Sequence, residues 1–160
     1  MEFSMVSDKE FTLRKVKIED LEILFDWAND SLVRTNSFST KSITISEHKA
    51  WFQEKFLTCP FWYIFELNFQ PVGVIRFDEV NSSKIFLLNY LLKPEVRGKG
   101  FGKKIIEMGI YEIKKSIQKS TKVFGVVKNE NIASRKTFLA LGFKETIYDQ
   151  ISYSYEIILK

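Results

Sequence analysis

The chain is 160 residues long, with 24 basic and 20 acidic side chains for a net charge of +4, and 45% of it is hydrophobic, including 15 Phe, 6 Tyr and 3 Trp. At this length one core buries about 70% of the surface that the unfolded chain exposes, so the composition excludes a disordered chain and argues for one domain over residues 1–160. One Cys and one His exclude an internal disulfide and a four-ligand Cys/His zinc site, so no metal is expected, and the mixed signs of every charged stretch disfavour nucleic acid as a partner.

The N-terminus, MEFSMVSDKEF, lacks the basic and apolar regions of a signal peptide, and no apolar run approaches the ~20 residues of a membrane span. A cytoplasmic protein without membrane contact is expected, with residues 1–10 flexible. Phe11 to Lys15 reads as a short strand. From Ile18 to Asn29, Leu21, Leu24, Phe25 and Ala28 recur at helical spacing. A loop containing Arg34, Asn36, Ser37 and Phe38 follows. Ser46 is placed to cap a second helix reaching Leu57. Phe61 to Leu67 and Val72 to Phe77 flank the polar break Asn68 to Gln70 and predict a hairpin, and Lys84 to Leu92 predicts a third long strand.

The pattern then passes through a Gly-rich turn into a helix from Gly100 to Ser116, with Ile106, Ile110, Ile113 and Ile117 on one side. Lys122 to Val127 predicts a buried strand, Ile132 to Leu141 a helix stopped by Gly142, and Lys144 to Leu159 two strands around Asp149 and Gln150. The order β-α-α-β-β-β-α-β-α-β-β is a layered α/β plan.

Arg97-Gly98-Lys99-Gly100-Phe101-Gly102-Lys103-Lys104 joins a strand to a helix start, where backbone N–H groups have no internal partners and bind phosphate well. The glycines let the backbone approach a pyrophosphate, and Arg97, Lys99, Lys103 and Lys104 surround it with positive charge; the plain alternative is a glycine-permitted turn with solvated lysines. Neither a P-loop nor a dinucleotide fingerprint fits, because Lys103 and Ile105 stand where those motifs need glycine. Ser46-Glu47-His48-Lys49 fits S-x-x-K formally, but its companion motifs and any G-x-S-x-G are missing from the sequence.

The run Arg97-Gly98-Lys99-Gly100-Phe101-Gly102, with its Leu-Lys-Pro-Glu lead-in, resembles the acyl-CoA-binding motif of the GNAT superfamily of N-acyltransferases. Asn131 to Phe143 resembles that superfamily's N-x-x-S-x-x-x-[YF]-x-x-x-G-F segment. The resemblance implies a mixed, mostly antiparallel sheet of about seven strands flanked by about four helices. It also implies acetyl-CoA as donor, with the pyrophosphate on the N–H groups of Arg97 to Gly102, and with Leu91, Leu92, Lys103, Asn131, Ser134 and Phe138 along the rest of the cofactor. The strand ending at Leu92 then supplies an N–H to the oxyanion.

Where many members carry an acidic Tyr this chain has Phe138, so Ser134, Tyr148, Tyr153, Tyr155 or solvent must protonate the thiolate. For the base, the strand from Lys84 offers only Asn89 and Tyr90, leaving Glu66, Asp78, Glu79 and His48 as further candidates. Direct attack by a primary amine is expected, with orientation contributing much of the rate.

Trp27 to Phe38, Glu47 to Phe52 and Val72 to Asp78 resemble blocks of acetyltransferases linked to pseudaminic-acid and related amino-sugar synthesis. This implies a nucleotide-linked amino-deoxysugar as acceptor, with Trp27, Asn29, Arg34, Asn36, Phe38, His48, Arg76, Asp78 and Tyr90 around it. A sugar nucleotide needs cations for its diphosphate and aromatic faces for its base and sugar. The competing readings are Trp51 and Phe52 as core, Arg34 paired with Asp30, and His48 as structural. The rival activities are acetylation of a protein N-terminus or lysine and a non-catalytic acyl-CoA-binding module; a homodimer is left open.

Overall fold

The computed structural model describes residues 9–160. The reading of the N-terminus against a signal peptide and most of the flexible segment expected over 1–10 lie outside the described residues. Glu10 is described, and it is tied to Asn68 in both directions, its N–H donating to Asn68 Oδ1 at 2.9 Å and its carbonyl accepting from the Asn68 N–H at 2.8 Å.

Seven strands form one mixed sheet: β1 (Phe11–Lys15), β2 (Phe61–Leu67), β3 (Gln70–Glu79), β4 (Ile85–Leu92), β5 (Thr121–Lys128), β6 (Lys144–Ile147) and β7 (Ser152–Leu159). Their order is β1-β2-β3-β4-β5-β7-β6, antiparallel throughout except for the parallel pair β4–β5. The helices are α1 (Leu21–Ala28), α2 (Ser31–Asn36), α3 (Ile45–Thr58), α4 (Phe101–Ser116) and α5 (Ile132–Ala140). The expected GNAT-type sheet is therefore present, with five helices where about four were expected.

Helices cover both faces of the sheet, so the central strands bury both sides and read as nearly continuous apolar runs. Tyr63, Phe65, Ile75 and Phe77 face Phe101, Ile105, Ile106 and Ile113 of α4 together with Phe138 of α5. Trp62, Ile64 and Val74 face the opposite way, against Leu24 and Trp27 of α1 and Phe52 of α3.

Three local expectations are corrected. The helix expected from Ile18 is a 3-10 turn at Ile18–Asp20 leading into α1, and the segment read as a loop around Arg34 holds α2. Six residues of mixed polarity carry little helical pattern; α2 is started by the Asp30 carboxylate, which accepts from the Val33 N–H. The cap of α3 is Thr44 and not Ser46. Thr44 Oγ1 accepts from the Glu47 N–H at 3.2 Å while Glu47 Oε2 accepts from the Thr44 N–H at 2.9 Å, a reciprocal capping box that leaves Ser46 inside the first turn.

The feature that positions the site is the short reach of the β4–β5 ladder. These strands pair only over Ile85↔Lys122, Phe86↔Val123 and Leu87↔Phe124, whereas β5 pairs with β7 along its whole length. From Leu88 to Leu92, β4 keeps β3 as its partner but parts from β5. Strand geometry then turns alternate N–H and C=O groups of this stretch into the gap.

Gly73 holds β4 in place on its other side. A Cβ built there would lie 2.7 Å from the Leu91 carbonyl oxygen and 2.9 Å from Leu92 Cδ2, so any side chain pushes β3 from β4. We predict that Gly73→Ala destabilises the fold by about 1–3 kcal/mol, seen as a lower urea midpoint at unchanged slope; a midpoint equal to that of the wild type refutes the close approach.

Candidate functional site

A cleft of about 710 Å³ opens where β4 and β5 part, lined on one side by Leu88 to Leu92 and on the other by Gly125 to Val127. One end is closed by Arg97, Gly98, Gly100, Phe101 and Gly102 and by Asn131, Ser134, Thr137 and Phe138 of the α5 region. The other end is closed by α1, α2 with the residues just after it, and α3, through Leu24, Ala28, Leu32 to Arg34, Asn36 to Phe38, His48 and Trp51.

At the first end, the 3-10 turn Pro94–Val96 delivers the chain to Gly98 (φ 74°) and Gly100 (φ 80°). Side chains at these two positions would meet no atom within 4 Å, so it is the left-handed backbone that requires glycine. Gly100 caps α4 without a side chain to offer, and the first N–H groups of the helix have no partners within it. Phe101, buried to 6% exposure, fixes this turn to the core. Lys99 and Lys103 are exposed beside the cleft rather than in its wall.

Arg97 is not the free cation expected at this turn. Its Nε donates to the Leu92 carbonyl at 3.0 Å, its Nη2 pairs with Asp30 at 2.8 Å, and its own N–H donates to the Pro94 carbonyl at 3.3 Å. Burial raises the Asp30 carboxyl, but the Arg97 bond and the Val33 N–H outweigh it and hold the group below the usual 3.8. Asn131 caps α5 by accepting from the Ser134 N–H at 3.3 Å, and it also lines the cleft.

On β4, the Tyr90 hydroxyl donates to Ser134 Oγ at 3.0 Å. Burial pushes the phenol above its ordinary 10, with hydrogen bonding to Ser134 and Thr137 opposing the shift. Phe138 is only 1% exposed. Its ring stacks on Tyr155 at 5.2 Å, meets Phe143 edge-on at 4.9 Å and lies across Gly125, where a Cβ would approach to 2.8 Å. The other tyrosines named for the missing acid are not in the cleft wall. Tyr148 is exposed, Tyr153 lies under the Arg135 guanidinium, and Tyr155 donates to Glu145, its phenol pushed up to about 12 by burial and by that carboxylate.

At the far end, Trp62, Arg76 and Asn89 stand directly opposite one another on three adjacent strands and share one face of the sheet. Arg76 lies 4.9 Å over the Trp51 ring, and its Nε bonds Asp78 Oδ2 at 2.7 Å while Lys55 of α3 holds Asp78 Oδ1 at 2.9 Å. Among the described residues, no partner takes up the Arg76 Nη groups. Trp51 is half-buried against Trp62 and also faces the cleft, so it is both core and wall; Phe52 is core.

Several expected acceptor residues have structural work instead. Trp27 is buried at 7% exposure in the core beneath α1 and α3. Asn29 binds Ile43 in both directions, at 2.9 and 2.8 Å, pinning the loop ahead of α3. Arg34 lines the cleft, yet its guanidinium donates to the carbonyls of Ala28 and Ser39 and to Ser37 Oγ, and it does not pair with Asp30. Asp78 braces Arg76 and faces a separate groove beside Lys55 and Cys59. Glu66 is paired with Arg14 at 3.2 Å on the β1 side of the sheet, away from the cleft, and Glu79 accepts from the Lys84 N–H.

His48 is 2% exposed and sits among Phe25, Trp51 and Phe52, with its Nε2–H donating to the Leu21 carbonyl at 2.8 Å. Burial keeps it below its ordinary 6.5, against the raising effect of the Leu21 bond, so it offers no cation to a diphosphate. Asn36, Phe38, Tyr90, Asn89, Leu91 and Leu92 do line the cleft. Sequence reasoning did not assign Asp30, Trp62 or Thr137 to the site. Asp30 carried one available signal, a helix-capping residue type directly before Ser31.

The family model described as "Acetyltransferase (GNAT) domain" matches residues 10–144. No curated protein sequence matches the chain. Among solved structures, an N-acetyltransferase from Staphylococcus aureus is 23% identical with a TM-score of 0.77, covering 94% of this chain and 99% of its own. A spermidine N-acetyltransferase from Vibrio cholerae bound to CoA and spermine is 17% identical with a TM-score of 0.77, covering 93% and 94%. A phosphinothricin acetyltransferase from Sinorhizobium meliloti bound to acetyl-CoA is 16% identical with a TM-score of 0.76, covering 93% and 88%. At these identities the likeness is one of fold.

His48 gives the site a pH signature. Its folded pKa lies below the unfolded 6.5, so the unfolded chain takes up the proton first and stability falls as the pH drops below 6.5. Asp30 and Asp78, both held below 3.8, add their loss only at lower pH. Urea midpoints between pH 7.5 and 5 are expected to fall for the wild type and to stay flatter for His48→Gln; parallel slopes refute a buried neutral imidazole.

Proposed function

The chain belongs to the acetyltransferase (GNAT) family, whose members carry an acetyl group from acetyl-CoA to an amine, and from that membership we propose that its acceptor is a primary amine on an anionic small molecule, a nucleotide-linked amino-deoxysugar. Acetyl-CoA, the donor substrate, supplies the acyl group as a thioester. The residues at the first end of the cleft fit it: the N–H groups of Gly98 to Gly102 cradle the pyrophosphate, Lys99 and Lys103 add charge from outside, and the Asn131 amide with the gap-facing strand groups of Leu92 holds the pantetheine arm, the Leu91 carbonyl being turned to β3. A β4 N–H facing the gap stabilises the carbonyl oxygen as it gains charge, a contribution of about 3 kcal/mol in comparable sites.

The observation that carries the acceptor reading is the Trp62–Arg76–Asn89 row, with the Arg76 Nη groups unpartnered over Trp51. It offers a fixed cation, an amide and aromatic faces together, which suits a phosphate or carboxylate beside a sugar. Among the described residues no carboxylate lines the cleft. That disfavours a polycationic acceptor, whose second and third ammonium groups would find no partner, and it leaves water to take the proton from the attacking amine. Asn36 and Phe38 of the α2 edge border the acceptor end.

The test is release of free thiol from acetyl-CoA in the presence of amino-sugar nucleotides, peptides bearing free N-termini, and polyamines. Turnover is expected with the first group, and Arg76→Ala is expected to raise its KM about 10- to 100-fold, as for a lost charge-assisted hydrogen bond, with the KM for acetyl-CoA unchanged. Turnover confined to peptides or polyamines overturns the acceptor reading. For the donor end, Gly100→Glu combines a disfavoured left-handed backbone with a negative charge at the cradle, so CoA affinity by calorimetry is expected to fall at least about tenfold; unchanged affinity places the pyrophosphate elsewhere.

A further inference from the structure

We propose that the Tyr90 hydroxyl is the proton donor to the departing thiolate, with Ser134 and Thr137 as positioning residues that support it. The inference rests on the acetyl-transfer reading above. Transfer to an amine leaves two proton demands: the nitrogen must lose one and the sulfur must gain one. Phe138 cannot serve the sulfur, since it has no ionisable group and is buried to 1% exposure.

The remaining candidates in the wall of the cleft are few. Arg34, Arg76 and Arg97 hold their protons too tightly to donate them, amides and aliphatic alcohols are far weaker acids than a thiol, and His48 is neutral with its one N–H committed to the Leu21 carbonyl. Tyr90 is the lining residue that combines an acidic O–H with a place on the parted stretch of β4.

Its hydroxyl is also prepared for the task. The ring stands edge-on to Phe138 at 6.1 Å, on the α4–α5 face of the gap. The oxygen lies against the first turn of α4, 3.6 Å from where a Cβ of Gly102 would be, and bonds Ser134 Oγ on the first turn of α5 at 3.0 Å. Burial keeps the phenol protonated, while hydrogen bonding with Ser134 and Thr137 favours its anion, so the cost of transient ionisation is partly offset by groups already in place.

The step balances as follows. The amine nitrogen bonds to the thioester carbon, and the C–S bond breaks with its electron pair going to sulfur. Sulfur takes the proton from Tyr90 Oη. The proton lost by the amine returns through water and Ser134 Oγ to the phenolate, and the products are the acetamide and free thiol with Tyr90 restored.

Tyr90→Phe keeps the ring and removes only the hydroxyl. We expect kcat to fall about 100-fold, at the low end for a general acid because a thiolate leaves readily, with the KM for acetyl-CoA and the calorimetric affinity for CoA within about threefold of the wild type. A kcat within twofold, or a raised KM at unchanged kcat, overturns the assignment and makes Tyr90 a holding residue. The pair Ser134→Ala and Thr137→Val, with Tyr90 intact, is expected to lower kcat about tenfold at unchanged KM, and an unchanged kcat overturns their supporting role. A wild-type chain that releases no thiol with any amine overturns the acetyl-transfer reading itself, whereas active wild type with active Tyr90→Phe overturns only the inference on Tyr90.

Discussion

The rest of the structure depends on two strands that pair for three residues and then part. An unzipped ladder forfeits backbone hydrogen bonds worth about 0.5–1.5 kcal/mol each, so something must hold the strands away from one another. That wedge is Phe138. Its ring fills the space over Gly125, where a Cβ would come within 2.8 Å, and is clamped between the stacked Tyr155 ring and the edge of Phe143. Burying such a ring contributes about 1.5–3 kcal/mol, enough to offset one or two lost ladder bonds.

Charge is organised around the same gap, and most of it stabilises the frame. Asp30 both caps α2 and pairs with Arg97, so the helix edging the acceptor end is tied to the turn that cradles the donor. Lys128 Nζ adds a second tie across the gap, to the Thr35 carbonyl at 3.0 Å. Arg34 folds the segment after α2 back on itself through carbonyl oxygens. The Lys55–Asp78–Arg76 chain is different, because it fixes the Nε of one arginine and leaves its outer nitrogens toward the cleft. The cations around the cleft are thus largely internal bracing, with Arg76, Lys99 and Lys103 left for anions.

How much of this was legible in the sequence follows from the range of each interaction. The strands were legible because both faces of β2 to β5 are buried, which writes long apolar runs such as Phe61 to Leu67. The cradle was legible because Gly98 and Gly100 need a backbone that other residues resist, a constraint local to the chain. Helix α2 was not, since six residues of mixed polarity carry no period and the partner that holds its capping Asp30, Arg97, is 67 residues away. For the same reason Asn29 and Arg34 looked like ligand groups. Their partners are backbone carbonyls and N–H groups, which have no identity in a sequence, so a polar cluster that braces a loop reads the same as one that binds a substrate. Tyr90 was legible as a residue of the site, but its pairing with Ser134 across the gap depends on the packing of α5 against β4.

The lack of a carboxylate among the described residues of the cleft wall also bears on how the acceptor amine becomes nucleophilic. An amine in water is mostly protonated near neutral pH and cannot attack in that form. Moving it into a cleft walled by Trp51, Trp62, Leu88 and Val126 removes hydration that the ammonium needs more than the neutral amine does. The Lys55–Asp78–Arg76 chain, fixed on the floor of the proposed acceptor end, keeps one net positive charge, which raises the cost of a further positive charge beside it. Both effects push the amine toward its neutral form on entry, with the proton left in water outside. A carboxylate placed to receive the proton would instead stabilise the ammonium by direct pairing. The aromatic walls and the free outer nitrogens of Arg76 thus make a single arrangement: Arg76 selects an acceptor by its anionic group and, by the net charge of its chain, helps deliver the amine ready to attack.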